Sequence, residues 1–159
     1  MQRLTDRDLE ASTQDYLQKN FAPLLESNPR AMKRFVNAYA VYRDIAILSH
    51  TDFEAGAGRD KLVLWTIMSL RWPQLEECLV ANPELADGLA GYAELPKVEG
   101  KLQLLLALPE VRCIFDGSVA GTKLDTDAVL SLRQLSTNIS SGKARKSIVS
   151  DASHARLRT

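Results

Sequence analysis

The amino-acid sequence predicts an all-α fold, an irregular bundle of about six to seven helices with a disordered basic C-terminal tail. Asn-Pro and Trp-Pro pairs recur along the chain, and they are typical of helix starts because proline at the first helical position loses no hydrogen bond. Apolar residues recur at intervals of three and four, which is the spacing of one helix face. No stretch alternates apolar and polar residues in a way that favours a strand over a helix.

The composition is that of an ordinary globular protein. The chain has 159 residues, of which 45% are hydrophobic and 25% are charged. Twenty Lys and Arg residues balance twenty Asp and Glu residues, which argues against a dedicated binder of nucleic acid or of anionic membranes. We expect a helical domain over residues 1–136 and a disordered tail rich in Ser, Lys and Arg over residues 137–159.

Two helices are predicted in the first third of the chain. The first covers about residues 6–19, because Thr5 and Asp8 have the spacing of a capping box. The second begins at Asn28-Pro29, an N-cap followed by proline at the first helical position. It is predicted to continue to about Ser49 or His50.

The middle of the chain is predicted to supply the centre of the bundle. Residues 55–58, Ala-Gly-Ala-Gly, are predicted to break the helical pattern. Residues 62–70 are apolar on every side, as expected for a helix surrounded by others, and Trp65 is predicted to be a core anchor. Trp72-Pro73 and Asn82-Pro83 then start two further helices.

Three helices are predicted in the last part of the domain. Gly100 precedes one that continues through Leu108, and Pro109 begins the next, to about Phe115. Asp125 or Thr126 is predicted to cap the last. Its buried face is formed by Ala128, Leu132 and Leu135.

No catalytic or metal-binding constellation is recognisable in the sequence. Cys78 and Cys113 lie far apart among apolar residues and are predicted to be buried free thiols. His50 and His154 do not have the spacing of metal ligands. The first residues lack the apolar run of a signal peptide, and no apolar run approaches the roughly 20 residues that span a bilayer. We therefore expect a cytoplasmic chain without a membrane span, a metal or catalytic residues.

A helix that begins at Pro29 separates an apolar face from a polar one. The apolar side is predicted to be buried and consists of Met32, Phe35, Val36, Tyr39, Tyr42 and Ala46. Four polar residues fall together on the other side, spaced so that all can serve one surface: Arg30, Lys33, Arg34 and Asn37. These four are the candidate phosphate- or anion-sensing residues.

The position of the three cations points to an anion. They lie in the first two turns, at the positive end of the helix dipole, where each costs roughly 0.3 kcal/mol. The helices predicted after the later prolines carry acids in their first turns instead. Because helix N-termini bind phosphate and arginine adds forked donors, we interpret the exception as a place where an anion is met.

Other interpretations of the same face stay open. The cations could face solvent or pair with acids such as Glu26, Glu76 or Glu77. The bundle could dock another protein through this surface. Less in keeping with the neutral net charge, the helix could contact nucleic-acid phosphates and bases, helped by the basic tail.

A family resemblance bears on the choice. Residues 28–37, Asn-Pro-Arg-Ala-Met-Lys-Arg-Phe-Val-Asn, resemble the segment Asn-Pro-Arg-x-hydrophobic-Lys-Arg-Phe-hydrophobic-Asn near the C-terminal end of KAP-type P-loop NTPases. The resemblance extends over about residues 28–80 and implies the helical region behind a nucleotide-binding core. It implies that Arg30 is a sensor arginine that reaches the nucleotide phosphates, with Lys33 or Arg34 in support.

The sequence departs from that family in one decisive respect. It has no Gly-x-x-x-x-Gly-Lys-Ser/Thr, and the Gly-Lys pair at residues 142–143 is followed by Ala144 instead of a magnesium-binding hydroxyl. It has no strand that ends in paired acids for Mg²⁺. We therefore expect no cofactor on this chain alone. ATP and Mg²⁺ would belong to a P-loop core in the same polypeptide or in a partner chain.

Overall fold

The computed structural model describes residues 6–49, 51, 53, 56–89 and 100–140, and helices are the only regular structure within them. The predicted all-α fold is confirmed. These residues form eight α-helices, where about six to seven were expected, and a short 3₁₀ helix. In chain order they are α1 (Asp6–Phe21), the 3₁₀ helix (Ala22–Leu24), α2 (Pro29–Leu48), α3 (Gly56–Arg71), α4 (Pro73–Ala81), α5 (Leu85–Leu89), α6 (Gly100–Leu106), α7 (Pro109–Asp116) and α8 (Thr126–Ser140).

The start of α2 has the cap that the sequence predicts. The Asn28 side chain accepts a hydrogen bond from the Arg30 backbone N–H at 2.9 Å, and Pro29 occupies the first helical position. The Met32 N–H donates to the Asn28 carbonyl at 3.0 Å, which closes the first helical turn. The N-terminal end of α2 is thus fixed by local chemistry.

The apolar face of α2 packs on the rest of the bundle. Met32, Phe35, Tyr39 and Ala46 are buried, as predicted. The other two members of the predicted stripe, Val36 and Tyr42, are partly buried and pack against the same core. The polar side of α2 is consequently turned away from the bundle.

Helix α3 is the centre of the fold. Every residue from Leu62 to Met68 is buried, and Trp65 has no exposed surface. Helices α2, α4 and α8 all pack against α3. The prediction of a central helix is confirmed, and Trp72 at the end of α3 is buried as well.

Helix α2 ends at Leu48, so the helical pattern is interrupted before the glycine-rich segment and not within it. Residues 56–58 were predicted to break the helical pattern, but they form the first turn of α3. Gly56 has a φ of +59°, a conformation that glycine adopts at little cost. The glycine therefore allows the chain to enter α3.

Helix α8 closes the bundle from the C-terminal side. Asp125 caps it, with its carboxylate accepting from the Ala128 N–H at 2.8 Å, and Lys61 of α3 lies 3.3 Å from the same carboxylate group. The predicted apolar face of α8 is confirmed, since its members are buried: Ala128, Leu132 and Leu135. The helix continues to Ser140, so residues 137–140 of the predicted tail are helical. Residues 141–159 lie outside the described part of the chain.

A hydrogen-bonded chain of side chains joins three helices in the middle of the bundle. The indole N–H of Trp65 in α3 donates to the Ser136 hydroxyl in α8 at 3.1 Å. That hydroxyl donates to the carboxylate of Glu76 in α4 at 2.9 Å. A single serine therefore satisfies a buried donor and holds a neighbouring carboxylate.

Some predictions are only partly met or fall outside the description. Cys78 and Cys113 are free thiols, but each is half-buried rather than fully buried. His50 and His154 are not among the described residues, and neither is Thr5 of the expected capping box. Within the described ranges, no helix combines the length and apolarity needed to cross a bilayer.

Candidate functional site

The structure brings the four candidate residues together on one open surface. Arg30, Lys33, Arg34 and Asn37 line a shallow depression at the start of α2, which we call the basic face. All four side chains are exposed. Their grouping follows from the geometry of α2, because the buried stripe on the opposite side fixes which way they point. The depression is also bordered by Glu26.

Within the described residues, no acid forms an ion pair with the cations of the basic face, Arg30, Lys33 and Arg34. Glu26 instead approaches Arg71, with 3.9 Å between the Glu26 carboxylate and Arg71 Nε. Glu76 accepts its hydrogen bond from a serine of α8. The described structure therefore leaves the charges of the basic face facing solvent.

Arg34 differs from its neighbours because it reaches toward α3. One of its terminal nitrogens, Nη2, donates to the backbone carbonyl of Leu70 at 3.5 Å, at the long end of the hydrogen-bond range. A contact of this length to a partly solvated carbonyl is easily exchanged for a stronger partner. Arg34 thus connects the basic face, of which it is a member, to the end of α3.

Beside the basic face lies an apolar pocket that the sequence analysis missed. It has a volume of about 100 Å³ and opens between the 3₁₀ helix, α2 and α3, and we call it the apolar pocket. Its rim carries Glu26, Arg34 and Arg71. Its apolar lining consists of Leu24, Leu25, Ala31, Met32, Phe35, Ile67 and Leu70.

Arg71 builds one wall of the apolar pocket. Its Nη1 donates to the Leu24 carbonyl at 2.7 Å, which ties the end of α3 to the 3₁₀ helix. Its guanidinium also lies 4.5 Å from the centre of the Trp72 ring, a cation–π contact. No short-range pattern indicates this clamp, because Leu24 and Arg71 are 47 residues apart in the chain.

A second polar cluster ties α1 to α3 away from the basic face. The Tyr16 hydroxyl donates to the Asp60 carboxylate, and the Arg59 guanidinium lies 3.9 Å from the centre of the Tyr16 ring. Burial, followed by the hydrogen bond and charge of Asp60, raises the pKa of Tyr16 above its ordinary value. Burial likewise raises the pKa of Tyr39 on α2. These contacts are internal to the bundle and position α1 against its neighbours.

The described side chains do not gather the ligands that a metal ion needs. No group of three or more His, Cys, Asp or Glu side chains comes together within the described ranges. The candidate binding site on the described surface therefore consists of the basic face and the apolar pocket, which share Arg34. Comparisons with protein-family models, with curated proteins and with solved structures find no match to this chain.

Proposed function

We propose that this chain is the helical lid and sensor portion of a KAP-like P-loop NTPase. In this proposal the basic face contacts the phosphates of ATP held by a P-loop core, in the same polypeptide or in a partner chain. The core supplies the phosphate-binding loop and the Mg²⁺ site, and the chain performs no catalysis of its own. The proposal includes a cytoplasmic location for the assembly.

One observation carries the proposal. The three cations of the basic face lie at the positive end of α2 without a carboxylate within ion-pair distance among the described residues. Arginine and lysine at a helix N-terminus destabilise the helix unless they bind an anion. Phosphate oxygens accept the paired hydrogen bonds that an arginine guanidinium donates. The resemblance of residues 28–37 to the KAP segment supports phosphate as that anion.

The packing of α2 offers a route from nucleotide to bundle. Arg30 is anchored next to the Asn28 cap, so a force on its guanidinium acts on the first turn of α2. Phe35 and Tyr39, further along α2, are buried in the same core as α3. Contact with the terminal phosphate would therefore move α2 and α3 together, and loss of that phosphate would release them.

The first experiment is the intact mass of the protein isolated from its own cells. A polypeptide tens of kilodaltons heavier that contains a P-loop core ahead of Met1 would support the proposal. A chain of 159 residues that also co-purifies with no P-loop protein would overturn it.

A variant of the assembled ATPase then tests the role of Arg30. Arg30→Ala should weaken ATP binding or the ATP-dependent conformational response by about 10- to 100-fold, the range expected for hydrogen bonds to charged groups. Lys123→Ala, which removes an exposed cation next to α8, is the matched control and should leave the response unchanged. Equal responses from both variants and the parent protein would exclude Arg30 as a phosphate sensor.

A further inference from the structure

The volume of the apolar pocket limits what it can hold. A cavity of roughly 150 Å³ takes a benzene molecule, so the 100 Å³ of the apolar pocket suits one aliphatic side chain and is too small for a nucleotide base. Its floor is made of hydrocarbon from three elements, including Leu24, Phe35 and Ile67. A bound water needs two to four polar partners, which such a floor does not offer. The pocket therefore favours an apolar occupant.

The charges around the pocket define what should flank that occupant. Arg34 and Arg71 stand on its rim with Glu26, and Arg30 and Lys33 follow on the adjoining basic face. Arg71 is held by the Leu24 carbonyl and by Glu26, whereas Arg34 has a single long contact to a carbonyl. Carboxylates next to the apolar side chain would thus find an available guanidinium, which binds carboxylate through paired donors.

The exposed side of α2 continues beyond the pocket as a ridge of apolar side chains that the exposed Asp44 interrupts. Val41 and Leu48 are 50% and 62% exposed, and they follow Arg34 at intervals of seven residues, which keeps them on one side of the helix. Ile47 beside them is 44% exposed. At 1.5 Å per residue, this ridge continues for roughly 20 Å past Arg34. A partner that seats in the pocket can therefore extend along α2.

We propose that the apolar pocket and the basic face together dock an acidic segment of a partner protein. One leucine-like side chain of the segment enters the pocket, and its flanking carboxylates pair with Arg34 and Arg30. Past its acidic residues, the segment extends over Val41 and stops short of the exposed Asp44. This activity goes beyond the nucleotide role, because it uses a pocket that no phosphate needs and requires no ATP.

Defined peptides test the chemistry of this docking site. The probe is acetyl-Glu-Glu-Leu-Glu-Glu-amide, titrated into the ¹⁵N-labelled protein without nucleotide and followed by NMR. We expect saturable shifts at Ala31, Arg34 and Leu70, with a Kd on the order of millimolar for so short a segment. The matched peptide with alanine in place of leucine should bind at least about tenfold more weakly, because it leaves the pocket empty.

A third peptide separates docking from simple charge attraction. Acetyl-Lys-Lys-Leu-Lys-Lys-amide keeps the leucine and reverses the charges, so it should not bind. Equal shifts from the leucine and alanine peptides would overturn the pocket assignment. Absence of shifts from the leucine peptide at several millimolar, about the weakest affinity expected here, would overturn the docking site itself.

Variants of the protein complete the test. Ala31→Leu fills the mouth of the apolar pocket without changing charge and should reduce leucine-peptide binding at least about tenfold. Ala81→Leu, at the exposed end of α4, is the matched control and should bind like the parent protein. Arg34→Gln should reduce binding by a similar factor, and circular dichroism shows whether each variant is folded. Unchanged binding in both folded pocket variants would refute the proposal.

The nucleotide role and the docking site give different results. In the assembled ATPase, ATP should shift the amides of the basic face without requiring the pocket, and Leu70→Ala, which changes the pocket wall but does not line the depression of the basic face, should leave this response intact. Loss of peptide binding with retained ATP shifts would leave the lid proposal standing. Retained peptide binding without any ATP effect would leave the docking site standing alone.

Discussion

The Ser136 hydroxyl links α3, α4 and α8 through two hydrogen bonds, so we expect Ser136→Ala to destabilise the bundle. The hydroxyl is the acceptor for the indole N–H of Trp65, which has no exposed surface, at 3.1 Å. Alanine leaves that buried donor without its acceptor. It also removes the hydrogen bond from Ser136 to Glu76 at 2.9 Å.

The size of the effect follows from those two contacts. A buried donor without an acceptor costs about 1–3 kcal/mol, and the half-exposed Glu76 can recover part of its loss from water. We therefore expect a decrease of about 2 kcal/mol in the free energy of unfolding. For a domain of this size, that decrease corresponds to a melting temperature lower by about 4–8 °C.

Urea unfolding monitored by tryptophan fluorescence and by circular dichroism measures this loss. Ser131→Ala is the control on the same helix, since its exposed hydroxyl donates only to the Asp127 carbonyl at 3.1 Å, one turn back in α8. The control should change stability by less than about 0.5 kcal/mol. If Ser136→Ala and Ser131→Ala unfold at the same urea concentration with the same m-value, the hydrogen-bonded chain does not stabilise the bundle.

Three other predictions follow from charge and burial. Burial alone would raise the pKa of Asp125, but the Ala128 N–H and the Lys61 ammonium outweigh it and lower that pKa below its ordinary value. The ionised Asp125 therefore stabilises the fold above the unfolded pKa of about 3.9, and this stabilisation is lost as the pH falls through the folded pKa. In an acid titration, the free energy of unfolding should fall more steeply for the parent protein than for Asp125→Asn, which keeps a capping oxygen. Glu26→Gln removes the acid that borders the basic face and should tighten ATP binding by the assembled ATPase by about threefold in a binding titration, whereas Glu77→Gln on α4 should not. Burial raises the pKa of the Cys78 thiol. In a Cys113→Ser background, Cys78 should therefore react with a disulfide reagent at pH 8 much more slowly in the folded protein than after unfolding in urea. Equal rates would contradict the burial of Cys78.

Local signals in the sequence are enough to place most helices. The start of α2 is readable because Asn28 and Pro29 satisfy the first turn by themselves. The start of α3 is not, because a glycine pattern is shared by loops and by a helix entry at positive φ. The end of α8 is also missed, since the serine-rich stretch that continues it to Ser140 is equally typical of a tail.

In the candidate site too, the part set by local sequence spacing could be predicted and the part set by tertiary contacts could not. The basic face is a property of one helix, so the spacing of Arg30, Lys33, Arg34 and Asn37 is sufficient to predict that they share a surface. The apolar pocket is a property of three elements that meet through tertiary contacts. Its wall depends on the Arg71 side chain reaching the Leu24 carbonyl, and no periodicity within either segment reports that distance.

The central position of α3 decides how this domain can be dissected. One side of α3 packs on α2 and another on α8, and both the Lys61–Asp125 ion pair and the Trp65–Ser136 hydrogen bond cross to the C-terminal part of the chain. A fragment that carries the basic face but stops before α8 would expose the side of α3 that buries Trp65. The core residues Leu17, Phe21 and Leu24 precede α2, and Arg71 of α3 binds the Leu24 carbonyl. Recombinant fragments, complementation assays and fusion joints should therefore keep residues 6–140 in one piece.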